Sequence, residues 1–270
     1  MSGLSIFFEE YNFSKAKRWL VETEPFQLKC VAVYVVAIWA IKFIQSSRKP
    51  FDLKVPLILW NAALAIFSIL GVVYTTPTWI RVISKHGISY TYTNVSEMYT
   101  DKTAGYWTFL WVVSKIPELV DTIFIVLRKK PLMFMHWYHH ALTGYFAFHT
   151  FYSENVYMIW VVWLNYIIHS AMYSYYCLRA CQIRVPPQVA QFITSAQIVQ
   201  FLITHVVMIH TAYLAWVVGA KVSVTPYGFF VGGFMEFTYL LLWFRFYYES
   251  YYKTGGKKYV QHQQKVEKSQ

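Results

Sequence analysis

Long apolar runs separated by short polar stretches recur along most of the chain. The hydrocarbon core of a bilayer is about 30 Å thick, and about 20 apolar helical residues are needed to cross it. The runs have this length, so the pattern predicts an all-α polytopic membrane protein. Seven spanning helices are predicted, near residues 30–46, 55–75, 106–127, 131–150, 155–178, 189–218 and 226–248.

Two polar flanks enclose the predicted membrane domain, which covers residues 29–250. The first flank, residues 1–28, is predicted to be lumenal. Within it, residues 14–24 are expected to form an interfacial helix that ends before Pro25, because a residue that precedes proline disfavours the helical conformation. The second flank, residues 251–270, is predicted to be a basic cytosolic tail.

Composition supports a bundle of spanning helices rather than a soluble domain. Hydrophobic residues make up 57% of the chain and charged residues only 14%, whereas about a quarter of an ordinary soluble domain is charged. The net charge of +11 could suggest nucleic acid. However, the basic residues lie mostly in short loops between apolar runs, where membrane topology explains them, so no nucleic-acid partner is expected.

Lysine and arginine also predict the orientation. They are more numerous in the loops near 42–54, 128–130 and 179–184 and in the C-terminal tail than in the remaining loops. Loops rich in basic residues face the cytosol, so the C-terminus is predicted cytosolic and the N-terminus lumenal. The sequons at Asn12 and Asn94 both fall on the predicted lumenal side and are candidate glycosylation sites.

The third predicted span carries three charged residues, Lys115, Glu118 and Asp121. Their spacing of three makes successive members neighbours on one helix. Charged groups inside a bilayer are costly, so they are usually paired and often functional. The row is therefore either an ion-pair ladder that stabilises the bundle or a part of a site.

The fourth predicted span begins with a histidine box, defined here as His136, His139 and His140. The spacing places the three imidazoles on adjoining faces within about one turn of helix. A single buried histidine is commonly a packing residue with a hydrogen-bond partner. Three histidines together at membrane depth are too costly to bury for packing alone, so the box indicates a functional site.

Polar side chains of the fifth and sixth spans lie at a similar depth. At 1.5 Å per helical residue, they fall within about 10–20 Å of the predicted cytosolic ends, as do the histidine box and the charged row. One polar site in the cytosolic half of the bundle is therefore predicted. The additional members are Asn165, His169, Tyr173 and Tyr176 in the fifth span and Gln197 and Gln200 in the sixth.

Imidazole can act as a nucleophile, transfer a proton or bind a metal. A membrane di-iron desaturase or hydroxylase needs several histidine boxes, whereas this chain has one HxxHH box and the additional His169. No bound metal is therefore expected. A transporter with a proton or ion pathway is a further alternative, but the internal repeats typical of transporters are not evident.

A basic rim follows the third span at Arg128, Lys129 and Lys130. These side chains suit a phosphorylated carrier such as coenzyme A, and the apolar interior suits the acyl chain of its thioester. The same residues also set membrane topology, so a role in ligand binding remains open beside the topological one.

Five motifs closely resemble those of the ELO family of very-long-chain fatty acid elongases, in the family's order and over nearly the whole chain. They are KIPELVDT at 115–122, LRK at 127–129, HWYHH at 136–140, NYIIHSAMYSYY at 165–176 and TSAQIVQ at 194–200. The resemblance implies a seven-helix enzyme of the endoplasmic reticulum membrane whose helices enclose an acyl tunnel. It also implies a 3-ketoacyl-CoA synthase that condenses acyl-CoA with malonyl-CoA and releases CO2 and CoA, without a bound cofactor.

The resemblance further implies partners and residue roles. The expected partners are the bilayer, the two CoA substrates and the other enzymes of the elongation cycle, and a homodimer is compatible with it. His139 resembles the nucleophile that takes the acyl group as an acyl-imidazole, and His169, held by Asn165, would assist condensation. His136 and His140 would orient or polarise these groups. The remaining expected catalytic residues are Lys115, Glu118 and Asp121, and the expected substrate-binding residues are Arg128, Lys129, Lys130, Tyr173, Tyr176, Gln197 and Gln200.

Overall fold

The computed structural model describes residues 4–94 and 96–255, and all regular structure in this part of the chain is helical. The prediction of an all-α protein is therefore confirmed. The α-helices are α1 Phe13–Gln45, α2 Lys54–His86, α3 Ser96–Thr100, α4 Ala104–Ser114, α5 Val120–Leu127, α6 Phe134–Tyr152, α7 Met158–Ala180, α8 Pro187–Trp216 and α9 Pro226–Tyr247. Short 3₁₀ turns occur at Ser5–Phe7, Ile88–Tyr92 and Pro117–Leu119, and a π-helical turn occurs at Tyr248–Lys253.

Four helices of the described chain are long and apolar enough to cross a membrane, which makes this a multi-pass membrane protein. They are Phe13–Gln45, Lys54–His86, Pro187–Trp216 and the continuous helix Pro226–Lys253. The predicted third span is broken, and α6 and α7 carry the polar residues of the site in their interiors. The count of seven spans stays a prediction.

Both of the first two helices continue through a proline. The prediction that the N-terminal helix ends before Pro25 is wrong, because α1 runs through Pro25 without interruption and across the predicted boundary at residue 28. An interior proline costs about 3 kcal/mol, and packing on both sides offsets it here. Leu20 is fully buried before the proline, and beyond it Gln27 donates hydrogen bonds to the carbonyls of Gly144 and Tyr145.

The predicted third span is interrupted at its centre. The helix α4 ends at Ser114, a 3₁₀ turn occupies Pro117–Leu119, and α5 begins at Val120. Proline has no N–H to donate and its ring blocks a continuous helix, which accounts for a break at this place. Lys115 and Glu118 lie within this break, outside the regular helices α4 and α5, and Lys115 contacts Asn165 of α7.

Close packing of α2 on α7 organises the centre of the bundle, and these two helices share the most extensive helix contact in the described chain. Gly71 of α2 lies directly against the ring of Tyr166, leaving no room for a side chain. The Tyr166 hydroxyl donates to the carbonyl of Trp107 at 2.8 Å, so α4 is joined to the same contact. Small residues at helix crossings allow this approach within membranes.

The loops gather at two ends of the bundle. At the end called here the mouth end, Lys129 donates to the carbonyls of Ser46 and Arg48 at 3.0 Å each, and Lys54 contacts Gln182. The opposite end, called the cap end, contains residues 4–12, 87–103, 153–157 and 217–225, which hydrogen bonds and aromatic contacts connect. The basic residues of the tail after 255 lie outside the described residues.

The two sequons lie together at the cap end. Asn12 caps α1, and its side-chain oxygen accepts the Lys15 N–H at 3.0 Å. Asn94 accepts the hydroxyl of Ser96 at 2.6 Å, and both asparagines are exposed. The predicted sorting of loops into two groups therefore agrees with the fold, whereas the predicted lumenal and cytosolic sides and the glycosylation of either residue remain predictions.

Candidate active site

A cavity of about 300 Å³, called here the outer cavity, lies among the helices near the mouth end. Residues from α2, α5, α6, α7, α8 and α9 line it, so the cavity exists only in the assembled bundle. Many of the predicted site residues meet in its wall. They are His136, His139, His140, His169, Asp121, Arg128, Tyr173, Tyr176 and Gln197.

The histidine box occupies the first two turns of α6. The ring centroids of His136 and His140 are 4.4 Å apart, and those of His139 and His140 are 5.5 Å apart. Nε2 of His136 is buried without a hydrogen-bond partner among the described residues. The described residues also contain no group of three or more His, Cys, Asp and Glu side chains arranged to hold a metal ion.

His139 lies between the outer cavity and a second cavity of about 60 Å³, called the inner cavity, because it lines both. Two aromatic rings of α9 flank its imidazole, with Tyr239 at 4.8 Å and Trp243 at 5.4 Å between centroids. The inner cavity extends from His139 past Met158 and Tyr157 towards the cap end. A ligand that filled both cavities would pass directly beside His139.

Asn165 holds His169 in one orientation. Its side-chain oxygen accepts the indole N–H of Trp111 at 2.8 Å and faces Lys115 Nζ at 3.4 Å. Indole and ammonium groups only donate, so the amide nitrogen of Asn165 must be the atom that faces Nε2 of His169, at 3.0 Å. Nε2 is then the acceptor, and in the neutral ring the proton is on Nδ1.

His169 therefore has an N–H available for a ligand. Its ring is 8% exposed and lines the outer cavity, and no described residue accepts a hydrogen bond from Nδ1. The tautomer inferred from Asn165 makes that nitrogen a donor, which can polarise a carbonyl oxygen. Asn165 is thus a positioning residue, and it also lines the inner cavity.

Lys115 and Glu118 form a buried ion pair behind the histidines. Lys115 Nζ lies 2.8 Å and 2.9 Å from the two carboxylate oxygens of Glu118, and Ser114 donates to the same carboxylate at 2.7 Å. The ammonium group also faces the Trp111 ring at 4.3 Å from its centroid. Neither member of the pair lines the outer cavity or the inner cavity, and Lys115 contacts Asn165 rather than the space available to a ligand.

Asp121 connects three helices at the wall of the outer cavity. One carboxylate oxygen accepts the hydroxyl of Tyr173 at 2.7 Å, and the other accepts the indole N–H of Trp60. Trp60 and the neighbouring Asn61, which also lines the cavity, belong to α2 and were not predicted as site residues. The second span shows only an apolar pattern in the sequence, so its contact with Asp121 depends on the fold.

The basic rim divides into three different environments. Arg128 lines the outer cavity, whereas Lys129 is occupied by two backbone carbonyls and Lys130 is exposed outside both cavities. Tyr176 is 47% exposed at the same wall. Arg128 is therefore the member of the rim that is placed to meet a ligand in the cavity.

Gln197 and Gln200 lie in different cavities, although the sequence predicts them as one pair. Gln197 lines the outer cavity and accepts the indole N–H of Trp243 at 2.9 Å. Gln200 lines the inner cavity, together with Glu236 of α9, which was not predicted. Glu236, Tyr239 and Trp243 lie three and four residues apart on one face of α9, and this spacing is the signal in the sequence that could have connected them with the site.

The fold and the cavities define a class of protein, namely a multi-pass helical membrane protein with a histidine-lined site inside the bundle. Comparison with known proteins identifies the family. The ELO family model, described as the GNS1/SUR4 family, matches residues 19–259. The chain belongs to this family.

Named relatives are similar in sequence to this chain over most of their length. Long chain fatty acid elongase 1 of Caenorhabditis elegans is 41% identical over 244 residues, which cover 90% of this chain and 84% of the relative. Very long chain fatty acid elongase 6 of Drosophila melanogaster is 33% identical over 93% of this chain and 80% of its own length. The human protein of the same name is 32% identical over 91% of each chain.

Proposed function

We propose that this protein is a fatty acid elongase that acts as a 3-ketoacyl-CoA synthase, condensing a long-chain acyl-CoA with malonyl-CoA. Family membership supports fatty acid elongation. The observation that carries the proposed chemistry is the position of His139 between the two cavities. At this position an imidazole can contact the thioester of an acyl-CoA, whose acyl chain needs apolar surroundings and whose phosphorylated CoA moiety needs polar ones.

The two cavities suit the two halves of an acyl-CoA. In the proposed complex the acyl chain enters the bundle at the inner cavity, whose wall includes Phe146, Met158 and Met235, and its first methylene groups fill that space. The phosphorylated CoA moiety extends through the outer cavity towards Arg128, since guanidinium groups bind phosphate well. This placement brings the thioester carbonyl to His139.

The first proposed step is acyl transfer to His139. A ring nitrogen of His139 attacks the thioester carbonyl, the C–S bond breaks, and CoA leaves with the proton that the imidazole releases. The Nδ1–H of His169 donates to the carbonyl oxygen as negative charge develops on it. His140, whose ring adjoins that of His139, orients its imidazole, and His136 in turn adjoins His140.

The second proposed step is condensation. Malonyl-CoA loses its carboxylate as CO2, and the electron pair of the broken bond forms a C–C bond to the carbonyl carbon of the acyl-imidazole. The C–N bond then breaks, the departing imidazole of His139 takes a proton from water, and 3-ketoacyl-CoA is released. Both steps use only side chains, water and the two CoA substrates, so no bound cofactor is included in the proposal.

The proposed cellular setting follows from the same assignment. The protein acts in the endoplasmic reticulum membrane, with its N-terminus lumenal and its C-terminus cytosolic. The mouth end then faces the cytosol, where both CoA thioesters are available. The proposed partners are the other enzymes of the elongation cycle and, for a homodimer, a second copy of the chain.

The test of this function compares two histidine variants of α6. Purified His139→Ala protein should lose formation of 3-ketoacyl-CoA by about a thousandfold or more, because the proposed nucleophile is absent. His149→Ala is the control, since His149 lies on the same helix and lines neither cavity. Radiolabelled malonyl-CoA measures the product. Retained activity in His139→Ala would overturn the assigned role.

A mass measurement separates the two proposed steps. Wild-type protein incubated with acyl-CoA alone should gain the mass of one acyl group, and His139→Ala should not. His169→Ala should condense far more slowly, because the carbonyl loses a hydrogen-bond donor that strengthens as charge develops. Absence of the acyl mass from active wild-type protein would contradict the covalent intermediate.

A further inference from the structure

One wall of the inner cavity is polar although most of its lining is apolar. Gln200 of α8 and Glu236 of α9 both line the cavity. Thr204, one turn after Gln200 on α8, is fully buried and donates to Glu236 at 2.8 Å. These three residues are called the polar wall. A cavity that held only hydrocarbon would gain nothing from such side chains.

Gln200 is buried without a hydrogen-bond partner. The residue is 6% exposed, and no described residue donates to or accepts from its side-chain amide. The neighbouring Gln197 shows the ordinary alternative, because its amide oxygen accepts the indole N–H of Trp243. A buried amide that lacks a partner is destabilising. The amide of Gln200 is therefore available to a group inside the cavity.

Glu236 is an acid inside the bundle without a basic partner. The hydroxyl of Thr204 contacts one of its oxygens, and no cationic group among the described residues lies beside it. Lys115, by contrast, is matched by Glu118 at 2.8 Å. Unpaired acidic residues within membranes are costly and usually have a functional role.

The polar wall lies close to the reacting end of the proposed substrate. Tyr239 and Trp243 flank His139, and Glu236 precedes Tyr239 by three residues on α9. At 1.5 Å per residue, Glu236 is displaced about 4.5 Å along the helix from Tyr239, on the side away from Trp243. The wall therefore meets an acyl chain just beyond its thioester rather than at its far end.

We propose that the polar wall binds an oxygen function, a hydroxyl group in particular, carried by the acyl chain near the thioester. The Gln200 amide and the Glu236 carboxyl can both accept the hydroxyl proton, and the amide nitrogen can donate to its oxygen. A plain hydrocarbon chain leaves these groups unpaired. This inference rests on the proposed function and names the class of acyl chain that the same site selects.

The test compares acyl-CoA substrates of one chain length, either plain or with one hydroxyl group that is moved stepwise from the thioester towards mid-chain. Wild-type protein should elongate one of the hydroxylated substrates at least about tenfold more efficiently than the plain one, because a site built for a hydroxyl group disfavours an analogue that lacks it. Gln200→Leu and Glu236→Leu should each reduce this ratio by about tenfold. Thr211→Val is the control, since it removes a buried hydroxyl from α8 outside both cavities.

Binding of the same substrates separates this inference from the proposed function. Affinity is measured on the full protein by equilibrium binding, which does not require turnover. Tighter binding of a hydroxylated chain, lost in Gln200→Leu but kept in Thr211→Val, supports the polar wall even when condensation is absent. If wild-type protein binds all chains with equal affinity, the inference is overturned. This holds even when every chain is elongated normally, because water alone then occupies the polar wall.

Discussion

Asn165 determines the tautomer of His169, because two hydrogen-bond donors fix the orientation of the Asn165 side-chain amide. Trp111 and Lys115 both face the side-chain oxygen, so the amide nitrogen faces Nε2 of His169. The proton of the neutral imidazole is consequently on Nδ1, and the residue lines the outer cavity. A single amide thus determines which ring nitrogen can donate to a substrate.

Replacing Asn165 with Asp should reverse this tautomer. A carboxylate only accepts, so Nε2 of His169 would become the protonated nitrogen and the Nδ1–H donor would be lost. We expect kcat to fall by about a hundredfold with little change in KM for acyl-CoA. Nitrogen chemical shifts of labelled histidine report the tautomer directly. A normal tautomer together with a normal kcat would contradict the role given to Asn165.

The buried pair of Lys115 and Glu118 should be sensitive to loss of one partner. Glu118→Gln leaves an ammonium group uncompensated inside the bundle, which costs about 3–5 kcal/mol. Replacing both residues with apolar ones should recover most of the stability, because neither charge then remains buried. Thermal unfolding in detergent measures the change. If Glu118→Gln unfolds like wild type, the charge is not buried as the structure has it.

An exposed pair provides the control for that comparison. Arg245 and Glu249 lie 2.9 Å apart, and their side chains are 75% and 55% exposed. Such pairs contribute about 0–1 kcal/mol, so Glu249→Gln should leave the unfolding temperature nearly unchanged. The difference between Glu118→Gln and Glu249→Gln then measures the effect of burial.

At the scale of elements, apolar runs predict where helices exist better than where they end. The runs near 30–46 and 55–75 correspond to α1 and α2, yet each helix is 33 residues long and contains a proline. An interior proline destabilises a helix locally, and the helix continues only where tertiary packing offsets that free-energy cost. Packing is not visible in the sequence, so the boundary predicted at Pro25 is wrong, whereas the helix is interrupted at Pro117.

The contact between α2 and α7 should not tolerate a methyl group at Gly71. A Cβ atom there would lie 2.3 Å from Cδ1 and Cε1 of the Tyr166 ring. The ring cannot easily move, because its hydroxyl is bonded to the carbonyl of Trp107. We therefore expect Gly71→Ala to destabilise the protein by about 1–3 kcal/mol, measured by thermal unfolding in detergent.

Gly233 offers the matched control on α9. The nearest atom to its added Cβ would be Met208 Cε at 3.9 Å, an ordinary contact. Gly233→Ala should therefore leave stability unchanged or raise it by up to about 1 kcal/mol through helix propensity. Equal effects of the two substitutions would show that propensity, not packing, decides the outcome at Gly71.

At the scale of the whole molecule, the sequence predicts those site residues that recur at helical spacing within one predicted span. The histidine box and the row from Lys115 to Asp121 are visible because their members are three or four residues apart on one helix. Trp60 and Tyr239 were missed because aromatic residues occur throughout the predicted spans, and Glu236 was missed although it lies three residues before Tyr239 on one helix. Assigning Gln197 and Gln200 to separate cavities likewise requires the assembled bundle.

Ion pairs across the cap end should make the stability of the whole molecule depend on pH. Lys102 bonds to Glu10 and His86 to Glu97, and these bonds lower the pKa of both carboxyl groups from the ordinary 4.5. A carboxyl with a lowered pKa stabilises the fold above its unfolded pKa, and this contribution is lost as pH falls through the folded value. The unfolding temperature should therefore decrease slightly once pH drops below about 4.5, and slightly less in the double variant Glu10→Gln and Glu97→Gln, because solvent screens these exposed pairs. An identical pH profile for that variant and wild type would show that the pairs do not contribute.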